Sequence, residues 1–505
     1  MEREVTVATP RDEVSSANQR GELPRDLLGG TVAMQQAGAR YVPKGHHEVD
    51  SVWQARIKAA VLVNIYKRTV GMLSGQVFSR DVSLDMGEGK DIPDPFASMR
   101  EDIDLQGNGL SVWAAKFFED AMNRGAAVLL VDFPHVTTRK REDGALEYQG
   151  ADGAWKPKTA QADAENGWRP YFVHIRQTDL LGWRHATVNG CRVLTQLRFR
   201  ERVTEEGGAW DVEDHQIDQV RVLYPGRWEV WREVESGTNK KEWRLHDSGT
   251  TSLKVIPAIP LILGESEGGM CANPALEDLA HLNRRHWQAT VDQYDLISWM
   301  RRPVWVGQNL LDGEGNPISS WGPASLLNST GDNVKLESVS VSPEAVSSGQ
   351  EELDNLKAEM SMFGMRLLMP RDVETTATTD RLNAAENDST LKKWAMALKD
   401  VLEQGFVFAG MWVNITEDGV PSVAVNTEFH LLAGMTVDEI KAAVDMGIVS
   451  KRLAFDELKR RGLVPDDADW LEIQVEIEND ARQASGPSLG AGLAGAFFGN
   501  QGQAT

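Results

Sequence analysis

The chain has 505 residues, 25% of them charged and 41% hydrophobic, and a formal net charge of −22 at pH 7. That length allows a large core and more than one domain, and the acidic balance argues against a protein that grips nucleic acid by its phosphates, though not against one that a polyanion slides past. Two cysteines, Cys191 and Cys271, argue against a disulfide framework and for synthesis in a reducing cytosol, and neither a signal peptide nor a membrane span is expected.

Residues 1–48 mix charge, Gly and Pro without a steady period and read as an extended arm. Order is expected from Asp50, where Trp53, Ile57, Val61 and Ile65 set out one helix. A second helix starts at Ser111, buries Trp113, Phe117, Phe118 and Met122, and meets Gly125 as a C-cap. The apolar run from Ala126 to Phe133 predicts a fully buried strand, and the polar stretch 137–166 a surface excursion. From Tyr171 to Leu263, short alternating runs between Gly turns predict a β-rich region. Its tryptophans, Trp183, Trp210, Trp228, Trp231 and Trp243, suggest a ligand platform, but aromatics at strand spacing more often fill a core or an interface.

The most informative run follows. Asn273-Pro274 supplies an N-cap and a proline at the first helical position, and Leu276, Leu279, Leu282, Trp287, Val291, Tyr294 and Ile297 recur until Arg302-Pro303. Ser342-Pro343-Glu344 opens a second helix of the same length, with Val346, Leu353, Leu356, Met360, Phe363 and Leu367 on one face and Pro370 at its end. At 1.5 Å per residue each is about 40 Å long. Equal helices around a short excursion predict an antiparallel hairpin with an insert at its far end. The insert alternates like strands, Val304-Trp305-Val306 and Val334 to Val339, around the turn formers Asp312 to Pro317. That turn has the acidic start of a calcium loop, but its twelfth position is Pro323, so a plain turn is the better reading.

Residues 371–379 have no apolar period and read as a polar loop. A helix of roughly 30 residues then runs from Leu382 to Trp412, with Gly405 and Gly410 as bends. Val423-Ala424-Val425 predicts a strand. Thr436 with Glu439 forms a capping box for a helix closed by Gly447, and a last helix runs from Ser450 to Gly462. The tail from Ser485 is rich in Gly, Ala and Gln and reads as disordered.

Catalytic signatures are wanting. No HExxH, paired CxxC or Walker A motif occurs, and Gly486-Pro487-Ser488-Leu489-Gly490 fits GxSxG only by letter. Ser389 and Lys392 spell SxxK without partners. His281 and His286, like His46 and His47, lack the spacing of a helical metal site.

The order helix, small insert, helix, loop, long helix resembles the portal proteins of tailed bacteriophages, in a subfamily often described only as a domain of unknown function. Further stretches carry the resemblance: Gly125 to Pro134, Arg169-Pro170-Tyr171, Gly182-Trp183-Arg184, Leu223 to Trp231, Ile256 to Pro260, Glu374 to Thr378, Asp438-Glu439-Ile440 and Arg460 to Asp467. It covers roughly Val49 to Asp480, and its specificity comes from several weak motifs in order.

The resemblance implies an α+β fold of portal-like architecture, with residues 49–272 as an α/β wing whose second half is β-rich, 273–300 and 343–368 as a two-helix stem, and 301–342 as a small α/β clip. Residues 369–379 would be a tunnel loop, 380–434 a long kinked wing helix with a returning strand, and 435–484 a helical crown between the arm 1–48 and the tail 485–505. The implied function is a ring, usually of twelve copies, at one capsid vertex of the virion, assembled in the bacterial cytoplasm. It would be a channel for packaging and ejection of double-stranded DNA, docking the terminase large subunit and a head-to-tail adaptor and seated in the major capsid protein. No enzymatic activity, cofactor, metal or membrane is implied. Arg371, Asp372, Glu374, Thr375, Thr376, Thr378 and Thr379 would face the DNA. Glu351, Glu352, Asp354 and Glu359 would give a repulsive channel wall, and Leu353, Leu356, Met360 and Phe363 the subunit interface. The alternatives are another virion or scaffold protein with a helical hairpin, and an enzyme whose site is assembled from scattered residues.

Overall fold

Helices begin well before Asp50. Four short ones, α1 (Asp12–Arg20), α2 (Glu22–Leu28), α3 (Gly30–Gln36) and α4 (Gly38–Tyr41), occupy the stretch expected to be an extended arm. They bury Val14, Leu23, Leu27, Met34 and Tyr41. The expected helix from Trp53 to Ile65 is two: α5 (Asp50–Ala59) ends before an extended link at 60–64, and α6 (Ile65–Val77) follows. The apolar spacing continues across the break, yet Val61 is exposed while Ala60 and Leu62 are buried. The computed structural model describes residues 5–87, 90–136, 138–141, 146–150, 153–159, 166–205, 215–235, 241–266, 268–301, 304–318, 331–339, 342–367, 389–427, 451–460 and a few single positions besides.

The strand β1 (Ser83–Asp85) and the helices α7 (Asp94–Glu101) and α8 (Leu110–Arg124) lead to Gly125, whose φ of 97° is open to glycine and strained for any other residue. A β-carbon there would overlap the carbonyl oxygens of Ala272 and Asn273. The strand β2 (Ala126–Asp132) is buried along its whole length because it is covered twice. Ala127, Leu129 and Val131 join one core, with Phe117 and Phe118 of α8, while Val128 and Leu130 join another.

The surface excursion folds as a small antiparallel sheet, β3 (Thr138–Lys140), β4 (Leu146–Gln149) and β5 (Trp155–Pro157). Next come β6 (Tyr171–Arg176), β7 (Leu180–Val188), β8 (Cys191–Glu205), β9 (His215–Tyr224), β10 (Arg227–Glu235), β11 (Lys241–Thr250) and β12 (Ala258–Ile262). β7 to β11 form a five-stranded antiparallel meander, and β2 lies between β12 and β6 in a three-stranded sheet. Leu197, Phe199, Leu223 and half-buried Trp228 of the meander close the second core over Val128 and Leu130.

The hairpin helices are α9 (Glu277–Arg301) and α10 (Pro343–Arg366), with β13 (Val304–Gln308) and β14 (Lys335–Val339) paired antiparallel at the far end. α9 begins later than Asn273-Pro274 suggests, because residues 272–275 are held by Met122, Gln177 and Glu265 instead of entering a helical turn. The long helix α11 (Thr390–Val413) is capped by Ser389, whose Oγ accepts from Lys392 N at 3.2 Å; this gives the SxxK pair a structural role. It runs unbroken through Gly405 and Gly410. A β-carbon on Gly405 would meet Phe172 at 2.9 Å and Leu129 at 3.3 Å, so this glycine permits close helix-to-sheet approach. Strand β15 (Ser422–Ala424) pairs with β1.

The chain forms two compact units, Met1–Phe429 and His430–Thr505. In the latter, α12 (Lys451–Arg460) places Phe455 5.2 Å from the ring of Trp470. The capping box at Thr436 and Glu439 and the tail lie outside the described residues. The fold is α+β, and no described helix is long and apolar enough to cross a membrane.

Candidate functional site

The hairpin is antiparallel, as cross-links at both levels require. Arg285 Nη2 lies 2.7 Å from Glu352 Oε1, and Gln293 Nε2 donates to Val346 O at 2.8 Å. Gly349, which interrupts the apolar period of α10, leaves room for the Gln293 amide. The base of α9 is rooted in the core by Leu276, Leu279, Ala280, Trp287 and Val291. Asn283, fully buried, accepts from Tyr66 N at 2.8 Å and donates to Val63 O at 3.0 Å. The N-terminal helices grip the same helix from outside. Arg20 pairs with Glu277 and Arg56 with Asp292, each at 2.7 Å, and Gln288 donates to Tyr41 O.

Within the hairpin His286 is buried, with Nδ1 3.5 Å from Thr290 Oγ1 and Nε2 without a hydrogen-bond partner among the described residues. Burial, then the charge of Lys357, pushes its pKa below the ordinary imidazole value, and Asp354 acts weakly the other way. His281, by contrast, is exposed beside Glu277 at 3.7 Å, so the two histidines face different surroundings.

Towards its far end the hairpin exposes apolar side chains. Tyr294, Trp299 and Met300 are exposed, and so are Val306, Val334 and Leu336 of the β13–β14 ribbon and its flank. The acidic turn behind it is local structure: Asp312 Oδ1 accepts from Glu314 N at 2.9 Å and Asn316 N at 2.8 Å. Those backbone donors hold its carboxyl below the usual range.

Of the residues expected on a channel wall, Glu351, Glu352, Asp354 and Glu359 are all exposed on α10. Glu352 is paired with Arg285, and Asp354 lies 3.5 Å from Lys357 and accepts from Gln350. Of the four residues expected at a subunit interface, Leu353 and Met360 are already buried within the chain, Met360 completely, because α10 packs back on α9 and α6. They are core residues. Leu356 and Phe363 are half-buried, Phe363 against the main core. Arg371, Asp372, Glu374, Thr375, Thr376, Thr378 and Thr379 lie outside the described residues.

A second feature was not legible in the sequence. The inner face of the meander opens into a cavity of about 760 Å³ between Trp228, Phe133, Trp412, Lys158, Arg232 and the end of β2. At its floor Arg221 Nη1 lies 2.7 Å from Asp132 Oδ2 and 3.7 Å from Glu201 Oε1, and Tyr171 Oη donates to Asp132 at 3.3 Å. These carboxylates raise the pKa of the guanidinium against the opposing effect of its burial. Asp132 closes an otherwise apolar strand, the one sequence signal for this network. The tryptophans of the meander pack as core residues: Trp183 is buried, Trp228 half-buried against the same core, and Trp231 and Trp243 lie against Val220 and Val222. Trp210 lies outside the described residues. Burial pushes the Cys271 thiol up to about 11, which keeps it protonated.

A family model described as a domain of unknown function (DUF4055) matches residues 275–413, from the start of the hairpin to the end of α11. No curated protein matches the sequence. Solved structures similar to the chain include the virion of a native gene transfer agent particle, at 10% identity and a TM-score of 0.34 over 77% of this chain and 86% of that one. Another is the neck of an empty particle of that agent computed with C6 symmetry, at 11% identity and a TM-score of 0.35 over 83% and 90%. Likeness of this degree fixes neither fold nor role.

Proposed function

We propose that the chain is the subunit of a portal ring in a phage-like virion, a non-enzymatic channel at one capsid vertex through which double-stranded DNA is packaged and ejected. The observation that carries this reading is the hairpin α9–α10 with an incomplete module at its tip. A two-stranded ribbon is marginal alone in water. β13 and β14 have no further strand among the described residues, and Val306, Val334 and Leu336 are exposed beside Trp299 and Met300. Neighbouring copies in a ring would cover this surface. In the same reading β13, β14 and their turn are the clip that meets the terminase large subunit and later a head-to-tail adaptor. The β-rich part of the first unit is the wing facing the major capsid protein.

The exposed carboxylates of α10 suit a channel wall, since like charge keeps DNA from adhering. Leu356, half-buried, is the residue of the α10 face still available to a neighbour. Residues 371–379 would be the loop that touches DNA. Electron microscopy of the purified full chain tests the proposal: a ring with a central hole is expected, with twelve copies as the family count. A chain that stays monomeric at micromolar concentration overturns it. Replacing 304–339 by a short Gly/Ser link should abolish rings, whereas deleting 371–379 should leave rings intact and impair packaging. ATP hydrolysis above background by the pure ring would refute the non-enzymatic part.

A further inference from the structure

The outer face of the five-stranded meander carries a one-sided row of charge. Arg198, Arg200 and Arg202 occupy alternate positions of β8, so they share the face opposite buried Leu197 and Phe199. Arg184 of β7 stands on the same face, opposite Gln196, whose amide donates to Tyr224 Oη at 3.1 Å. One carboxylate answers the row directly: Asp218 lies 2.7 Å from Arg202. Arg184 and Arg200, both exposed, have no ion-pair partner among the described residues. Burial, followed by the neighbouring charges of Arg184 and Arg11, lowers the pKa of Arg198. In a chain of net charge −22 such a local excess of guanidinium groups is a surface short of its counter-charge.

The same face already holds a turn of the chain, Val7-Ala8, closed by Thr9 N donating to Thr6 O at 3.1 Å. Val7 and Ala8 lie against Val220 and Val222, Arg198 donates to Val7 O at 2.7 Å, and Arg11 N donates to Leu181 O at 2.9 Å. The missing β-carbon of Gly182 leaves space for Arg198 and for the stem of Arg11. We infer that this face docks an extended acidic segment of a partner protein, whose carboxylates meet Arg184, Arg198 and Arg200. Alternate side chains of an extended strand repeat at about 6.6–6.8 Å, so acidic residues at every second position match the arginine row, and guanidinium groups bind carboxylates through paired hydrogen bonds. Nucleic acid offers the same sign of charge, but the acidity of the whole chain repels a long polyanion before it arrives, while a short segment interacts at contact range.

The test uses the full chain and a fluorescent peptide of alternating Asp and Thr, read by anisotropy. Saturable, salt-sensitive binding is expected, weakened at least about tenfold in the Arg184→Glu/Arg200→Glu variant. A Lys/Thr peptide should not bind. Arg192→Glu, on the opposite face of the sheet beside His185, should retain wild-type affinity, which separates the site from general charge. Equal affinity in wild type and double variant overturns the inference, as does equal weakening in Arg192→Glu. So does a DNA duplex that binds the same arginines and displaces the peptide.

Discussion

Asn283→Ala should uncouple the hairpin from the core, and the size of the effect follows from two hydrogen bonds. Helix α6 opens with backbone N–H groups that no helical carbonyl can reach. Asn64 caps Lys67 N locally at 2.9 Å, but Tyr66 N depends on Asn283, 217 residues away, whose amide also donates to Val63 O. Alanine strands one buried donor, Tyr66 N, at about 1–3 kcal/mol, while Val63 O keeps its bond from Ile65 N at 3.2 Å. Asn283→Asp keeps the acceptor and loses the donor, but it also buries a carboxyl, so it should not restore stability. The sharpest readout is hydrogen exchange over residues 62–68. If local opening is eased by about 2 kcal/mol, exchange there accelerates roughly 30-fold, and the urea midpoint followed by tryptophan fluorescence falls with it. Wild-type exchange in this segment together with an unchanged midpoint would show that the bonds have no energetic weight, and the reasoning fails.

Three further expectations can be checked by denaturation. Gly125→Ala places a β-carbon against two fixed carbonyls at a φ of 97°, and the strain of about 1–2 kcal/mol adds to the overlap; a loss under 1 kcal/mol in the urea midpoint analysis would contradict it. His286 is neutral when folded and takes up a proton when unfolded, so stability should fall as pH drops below about 6.5 toward its lower folded pKa, then level off. His286→Gln should shrink the difference in urea midpoint between neutral and mildly acidic buffer, and an unaltered difference argues against the assignment. Arg221→Met leaves Asp132 without its cation and should cost about 3–5 kcal/mol, and Asp132→Asn/Arg221→Met should recover part of this. Additive losses would mean that the pair is not coupled.

Where local chemistry decides, the residues predict the structure. Pro343 opens α10, Gly125 ends α8, and the unbroken apolar run of β2 reports a strand covered on both faces. The misses have a common physical source. The helices α2 and α3 are seven residues each, joined at Gly21, Gly29 and Gly30, too short for a period to emerge; the burial of α2 comes from α6, α8 and α9, all later in the chain. The link at 60–64 keeps helical spacing in Val61 and Ile65 but is extended, since Leu62 turns inward and Asn64 must cap the next helix. Gly405 looks like a hinge in isolation, and only Phe172 across the interface explains why no side chain fits. The Arg221–Asp132 network and the arginine row depend on strand register, which single strands do not carry. Leu353 and Met360 show the same limit: an apolar stripe signals burial but does not say whether the same chain or another provides it.

The grip of the N-terminal helices on α9 has a consequence for how the protein is made. Arg20 and Glu277 are 257 residues apart in the chain, so at about 5–20 residues per second the ribosome needs roughly 13–50 s to deliver the second after the first. Throughout that interval Leu23, Leu27 and Met34 have no α9 to cover them. Expression at low temperature without chaperones should therefore trap aggregated chains, and a segment synthesised before α9 waits for it to reach its final packing.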